Sequence, residues 1–185
     1  MLTEIQDELG TNFDPNSFLE LAQKKLKKMN LAIWTNKYLL LEYLQFARQN
    51  NYNKEIVLWL KPNAIPLCGT RYKSDKEYCM VIKEKGATFN SGLRHSLYGT
   101  YWIEDINHKT TLHPTEKPLQ IFKKLILVHT KENDTVLDMF CGSGTTGIAC
   151  IEWKRNYILI EKNEKYYEMA KKRLEAEKRQ LKLEI

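Results

Sequence analysis

Hydrophobic positions along this 185-residue chain fall into short runs of two kinds, some at helical spacing and some nearly continuous. Ser17-Phe-Leu-Glu20 has the form of a capping box, and Phe18, Leu21, Ala22, Leu26 and Met29 continue from it as a helical stripe. Leu31–Trp34 is a compact apolar run suited to a buried strand. Asn36–Gln49 returns to helical spacing, with Leu39, Leu40, Tyr43, Leu44 and Ala47 on one face. Glu55–Leu60 predicts a strand that stops at Lys61-Pro62, because proline cannot donate into a ladder. Tyr78–Lys83 is a further apolar run that ends before the Gly86 turn.

The pattern then breaks and resumes. Residues 1–16 carry no clear periodic element. Residues 87–112, rich in Asn, Ser, Gly, His, Tyr and Thr, read as an irregular excursion. Pro118 opens a helix to about Thr130, since proline is tolerated in a first turn. Thr135–Asp138 predicts a strand, Cys141–Thr145 a tight loop, Thr146–Trp153 a helix and Asn156–Glu161 a second strand. Asn163 then caps a long helix to about Lys182. This closing strand–helix–strand–helix order implies parallel strands joined by right-handed crossovers. No repeat or linker divides the chain, so the expectation is a single α/β domain with helices on both faces of a Rossmann-like sheet.

Composition narrows the class. Hydrophobic residues make up 43% and charged residues 28%, the balance of a folded domain. No apolar run approaches the roughly 20 residues of a membrane span, and the start lacks a secretory signal. The four cysteines form no Cys-x-x-Cys pair, which favours free thiols in a reducing cytoplasm and argues against a metal site. The net charge of +6 suits a polyanionic partner. It equally suits solvated lysine faces at Lys24–Lys28 and Lys171–Lys182.

The sharpest chemical signal is Val136-Leu-Asp-Met-Phe-Cys-Gly-Ser-Gly-Thr-Thr146. A strand runs into Gly142 and Gly144, and a helix begins at once, so backbone N–H groups face whatever approaches the turn. Ile158-Leu-Ile-Glu161 then ends a second strand on a carboxylate, where a doubly wound sheet grips a ribose diol. Gly142, Gly144 and Gly147 also satisfy the dinucleotide spacing Gly-x-Gly-x-x-Gly, which leaves an NAD-dependent oxidoreductase as an alternative. Asp138 disfavours it, because a carboxylate at the strand's end repels a pyrophosphate. S-adenosyl-L-methionine, with a sulfonium, an α-ammonium and no phosphate, fits better.

Asp138-Met-Phe-Cys-Gly-Ser-Gly-Thr145 resembles the cofactor motif of the N6-adenine/N4-cytosine DNA methyltransferases. His113-Pro-Thr-Glu-Lys-Pro118 resembles the motif that precedes it in the permuted, beta-type subgroup. Glu161 with Tyr166, Ala170 and Arg173 is similar to the family's closing strand and helix. Weaker similarity reaches back through Trp59–Pro62 and Glu77–Lys83. The resemblance implies that Asp138, Phe140, Gly142, Ser143, Gly144 and Thr145 line the methionine part of S-adenosyl-L-methionine. It further implies that His113, Pro114, Thr115 and Lys117 flank the ligand from the other side and that Glu161 takes the ribose hydroxyls. Residues 113–182 would then be the cofactor-binding part. Tyr166 reads as a core contact, and Lys117 as either a ligand contact or a helix-start residue.

The family's amine-binding motif, (Asp/Asn/Ser)-Pro-Pro-(Tyr/Phe/Trp), does not occur in these residues. Phe13-Asp14-Pro15-Asn16 lacks the second proline and the aromatic and reads as a helix-start turn. No catalytic residue is therefore assigned. The resemblance implies methyl transfer to adenine N6 or, as the lesser option, cytosine N4 in double-stranded DNA. The resemblance implies that the domain is partial, its N-terminal strands and the missing motif being supplied by sequence before Met1 or by a second polypeptide. A non-catalytic cofactor- or DNA-binding subunit is the alternative. Arg71, Lys73, Arg94, His95, Tyr98, Tyr101 and Trp102 mix cations with aromatics within residues 61–112. They either meet DNA or pack a loop onto the sheet.

Overall fold

The computed structural model describes residues 13–64, 72–106 and 116–183. These form α1 (Pro15–Lys25), β1 (Asn30–Thr35), α2 (Leu40–Gln49), β2 (Asn53–Leu60) and β3 (Lys76–Lys83). A 3₁₀ turn at His95–Tyr98, β4 (Tyr101–Ile103), α3 (Leu119–His129), β5 (Thr135–Asp138), α4 (Thr145–Glu152), β6 (Asn156–Leu159) and α5 (Glu164–Leu183) follow. The chain divides into two compact units, residues 1–56 with 78–87, and residues 57–77 with 88–185.

In the first unit, β1 pairs antiparallel with β3, from Asn30 opposite Lys83 to Thr35 opposite Tyr78. Leu19 and Ala22 of α1, Tyr43, Phe46 and Ala47 of α2, and Met80 and Ile82 of β3 close a core with Met29. The helical contributors sit three and four residues apart, as one buried face requires. Helix α1 begins earlier than its capping-box pattern implies. The Asp14 carboxylate accepts from Asn16 N at 3.0 Å and Ser17 N at 3.1 Å, and Pro15 occupies the first turn. Asp and Ser cap about equally well, but Pro15 is pre-set for the first helical turn, so Phe13–Asn16 is the helix-start turn the sequence suggested. Of the anticipated stripe, Leu21 is exposed and Leu19 takes the inner position.

In the second unit, β2 and β4 pair in parallel, Leu58 to Leu60 opposite Tyr101 to Ile103. Strands β5 and β6 also pair in parallel, from Thr135 opposite Asn156 to Asp138 opposite Leu159. Ile126 of α3 and Ala149 and Cys150 of α4 pack with Val136 and Tyr157 of the strands. The excursion at residues 87–112 contains the 3₁₀ turn and β4, both too short for a periodic signal. Pro118 lies just outside α3 as its cap, and Asn163 Oδ1 caps α5 by accepting from Lys165 N at 3.0 Å.

Candidate functional site

Strand β5 delivers the chain to its turn with the ladder still running. Ile160 N donates to Asp138 O at 2.9 Å, and Cys141 N donates back to Ile160 O at 3.1 Å. Two residues then adopt left-handed backbone, Gly142 at φ 50° and Gly144 at φ 80°. Side chains at such angles are strained, so glycine is the economical choice at both. Gly144 N closes the turn onto Cys141 O at 2.8 Å, and α4 starts at the next residue. Its first N–H groups lack intrahelical acceptors and carry the helix's positive end.

Two carboxylates flank this turn. Asp138 Oδ1 accepts from Phe140 N at 3.0 Å, and Oδ2 accepts from the Thr146 hydroxyl. Glu161 Oε2 accepts from Gly142 N at 2.9 Å, and Oε1 from Asn163 N at 2.8 Å. Each oxygen keeps acceptor capacity, because a carboxylate offers about four lone-pair directions. Phe140, at the mouth of the turn, is 63% exposed. The thiol of Cys141 records the field: burial chiefly, then the charges of Asp138 and Glu161, push its pKa up to about 12. Burial does the same to Cys150. Neither thiol is a nucleophile near neutral pH. The surroundings are anionic, which suits an ammonium or sulfonium and repels a phosphate.

Arg173 of α5 reaches four acceptors with one nitrogen. Nη1 lies 3.1 Å from Glu116 Oε1, 3.2 Å from Ser143 O, 3.3 Å from Ser143 Oγ and 3.2 Å from Thr145 Oγ1. The side chains of Ser143 and Thr145 are buried and meet this cation. Helix α5 also moulds the turn sterically: a Cβ on Gly144 would stand 3.0 Å from Ala170 Cβ, and one on Gly147 2.6 Å from Leu174 Cδ2. Arg173 entered the sequence reading only by resemblance, and Glu116 and Thr146 not as site residues. No local pattern reveals that Glu116 and Arg173 meet.

Lys117 Nζ lies 3.1 Å from Glu77 Oε2, and Lys61 Nζ lies 3.3 Å from Glu77 Oε1. Burial raises the Glu77 carboxyl's pKa, but Lys117 and then Lys61 outweigh it and leave the net value lowered. His113, Pro114, Thr115 and Arg71 lie outside the described residues. The aromatic segment divides: Tyr98 packs, its hydroxyl donating to Asn90 O at 2.5 Å and accepting from Leu93 N at 2.7 Å. Trp102 is buried, whereas Tyr101, Arg94, His95 and Lys73 are exposed. Among the described residues no group of His, Cys, Asp and Glu could hold a metal, and no helix is long and apolar enough to cross a membrane.

Parallel β5 and β6, a two-glycine turn, a helix N-terminus and a carboxylate after the second strand give this part of the chain the architecture of a Rossmann-like α/β domain. The family match is direct: the N6/N4 DNA methylase profile covers residues 11–172, and the chain belongs to that family. The type II methyltransferase M2.DpnII of Streptococcus pneumoniae is 48% identical over 176 residues, which cover 83% of this chain and 64% of that protein. M2.MboI of Moraxella bovis is 32% identical over 166 residues, covering 81% and 61%. The crystal structure of the M1.HpyAVI–SAM complex superposes with a TM-score of 0.69 at 30% identity, covering 88% of this chain and 83% of that one. The cytosine-N4-specific PvuII DNA methyltransferase shares the fold, with a TM-score of 0.70 at 17% identity. The chain spans just under two thirds of the length of these two curated relatives.

Proposed function

We propose that this chain is the cofactor-binding part of a DNA amino-methyltransferase, using S-adenosyl-L-methionine to methylate adenine N6 or cytosine N4. The observation that carries this is the pair of carboxylates, Asp138 and Glu161, on either side of a glycine turn that opens a helix. A dinucleotide would place phosphates against that negative charge. The M1.HpyAVI–SAM complex, 30% identical, supports the same ligand here.

Bound S-adenosyl-L-methionine supplies a methyl group made electrophilic by its sulfonium. The chain's own residues bind and orient. Glu161 takes the ribose hydroxyls with the acceptor capacity left beside Gly142 and Asn163. Asp138 takes the α-ammonium directly or through water, and Phe140 covers the apolar flank. His113, Pro114 and Thr115 take part as well, on the family motif alone. Residues 113–182 thus serve the cofactor, and exposed Lys73, Arg94, His95 and Tyr101 within residues 61–112 meet DNA. The motif that accepts the amine's hydrogens comes from additional polypeptide, either continuous with this chain or separate. The setting is cytoplasmic.

Titrating the purified chain with S-adenosyl-L-methionine by calorimetry tests the cofactor claim. Saturable one-to-one binding is expected, and no heat at millimolar ligand would overturn it. Tritiated cofactor with unmethylated DNA tests the division of labour. Binding without label transfer is expected of this chain alone, and transfer would show that the acceptor site is already within it.

A further inference from the structure

The Arg173–Glu116 pair meets the glycine turn at Ser143 and Thr145, whereas Asp138 and Glu161 meet it at Phe140, Thr146 and Gly142. Glu116 has only 3% of its side chain exposed, and Arg173 17%. A buried carboxylate is costly unless an opposite charge and hydrogen bonds meet it. Arg173 does more than neutralise it. A guanidinium Nη carries two hydrogens, yet Nη1 serves Glu116 Oε1, Ser143 O, Ser143 Oγ and Thr145 Oγ1, all between 3.1 and 3.3 Å. Four acceptors share two donors only when they converge on one point. The Ser143 carbonyl therefore turns inward, and Ser143 Oγ comes to 3.3 Å from Thr145 Oγ1. Ala170 stands one turn earlier on the same helix face and limits how far Gly144 can approach.

We propose that Arg173 is a positioning residue for the cofactor loop. Anchored by Glu116, it holds Ser143 O and Thr145 Oγ1 and so fixes the backbone of residues 142–146, already closed by the Gly142 N–Glu161 and Gly144 N–Cys141 O bonds, beside the methionine end of the ligand. This rests on reading the loop as the S-adenosyl-L-methionine site. Glu116, one residue before Lys117, thereby ties the segment leading into α3 to the loop. A lysine at position 173 keeps the charge, but its ammonium ends one bond short of Nη1, so it meets Glu116 without reaching the Ser143 and Thr145 oxygens as well.

The test compares wild type, Arg173→Lys, Arg173→Met and the double variant Glu116→Gln/Arg173→Met in the full chain. Two readouts are taken: S-adenosyl-L-methionine affinity by calorimetry, and amide hydrogen exchange of residues 141–147 without ligand. Loss of a charged hydrogen-bonding centre predicts about a tenfold fall in affinity for Arg173→Met, with loop exchange faster by a similar factor. Arg173→Lys should fall between. The double variant should recover thermal stability, because no unpaired carboxylate is left buried, yet keep the loose loop and the weak affinity. If it restores loop protection and affinity, Arg173 only neutralises Glu116 and the proposal fails. Unchanged exchange in both Arg173→Lys and the double variant would also overturn it, even if Arg173→Met does not fold. Should wild type bind no S-adenosyl-L-methionine, the cofactor reading fails, and the exchange arm still decides the role of Arg173.

Discussion

Gly142 N donates to Glu161 Oε2 at 2.9 Å, so the carboxylate that follows β6 also holds the glycine turn that follows β5. Its other oxygen accepts from Asn163 N at 2.8 Å and shapes the entry to α5. Glu161 thus has a structural task and a proposed ligand task, and substitutions separate them. Glu161→Gln keeps an oxygen for Gly142, whereas Glu161→Ala removes both acceptors. Thermal unfolding should show a loss of about 1–3 kcal/mol for the alanine and less for the glutamine, the cost of leaving partly buried donors unmet. Affinity for S-adenosyl-L-methionine should fall in both. An alanine variant that binds as tightly as wild type would leave Glu161 only its loop contact.

The glycines of the second unit should rank sharply on replacement by alanine. Gly144 sits at φ 80° with Ala170 Cβ 3.0 Å from any added Cβ, so backbone strain and a close contact add together. Gly147 has ordinary helical backbone, but its Cβ would stand 2.6 Å from Leu174 Cδ2 and 2.7 Å from Leu159 Cδ1. Gly92 would meet nothing within 4 Å. Urea denaturation should show losses of about 1–3 kcal/mol at Gly144 and Gly147 and almost none at Gly92. Equal losses at Gly92 and Gly144 would contradict this account of the turn.

How much of this was legible follows from the range of each interaction. Strand β5, the glycine turn, α4 and the Asn163 cap are set within a few residues, and the sequence pattern placed them closely. The carboxylate of Glu161 was foreseen because a doubly wound sheet repeats that placement. Its bond to Gly142, 19 residues away, has no local signature. The same holds for Arg173 with Glu116 and for Lys117 with Glu77, pairs that exist only after the chain folds. Strand β4 has three residues and therefore no readable period. At α1 the sequence offers two start signals, the Ser17 capping box and the Phe13–Asn16 turn, and the fold uses the second, with Asp14 as the cap.

Glu77 gives stability a pH dependence of known sign. Burial alone would raise its pKa, but Lys117 and then Lys61 lower the net value below 4.5. The unfolded chain therefore holds that proton more tightly than the native one. The stabilisation is present above pH 4.5 and is lost as pH falls through the lower native value. Urea midpoints of wild type and Glu77→Gln, compared from neutral pH downward, should differ most above pH 4.5 and converge in acid. Lys117→Met should shrink the difference. A gap that stays constant into acid would mean that Glu77 acts through packing and not through charge.

Adjacent residues of β4 offer opposite experiments. Tyr101 is 57% exposed, and its neighbour Trp102 is 6% exposed beneath the sheet surface. Alternation along a strand turns successive side chains to opposite faces, so one serves solvent and the other the core. Trp102→Ala should destabilise the chain by about 3–5 kcal/mol through lost burial and a cavity. Tyr101→Ala should leave the unfolding midpoint within about 0.5 kcal/mol of wild type. If the exposed aromatic meets DNA, Tyr101→Ala should also weaken binding of a fluorescent duplex, by roughly the 1–3 kcal/mol of one base–aromatic stack if it stacks on a base. Arg94→Ala should instead reduce the salt dependence of that binding, as loss of one phosphate contact does. Unaltered affinity and salt slope in both variants would move the DNA-facing surface away from the 3₁₀ turn and β4.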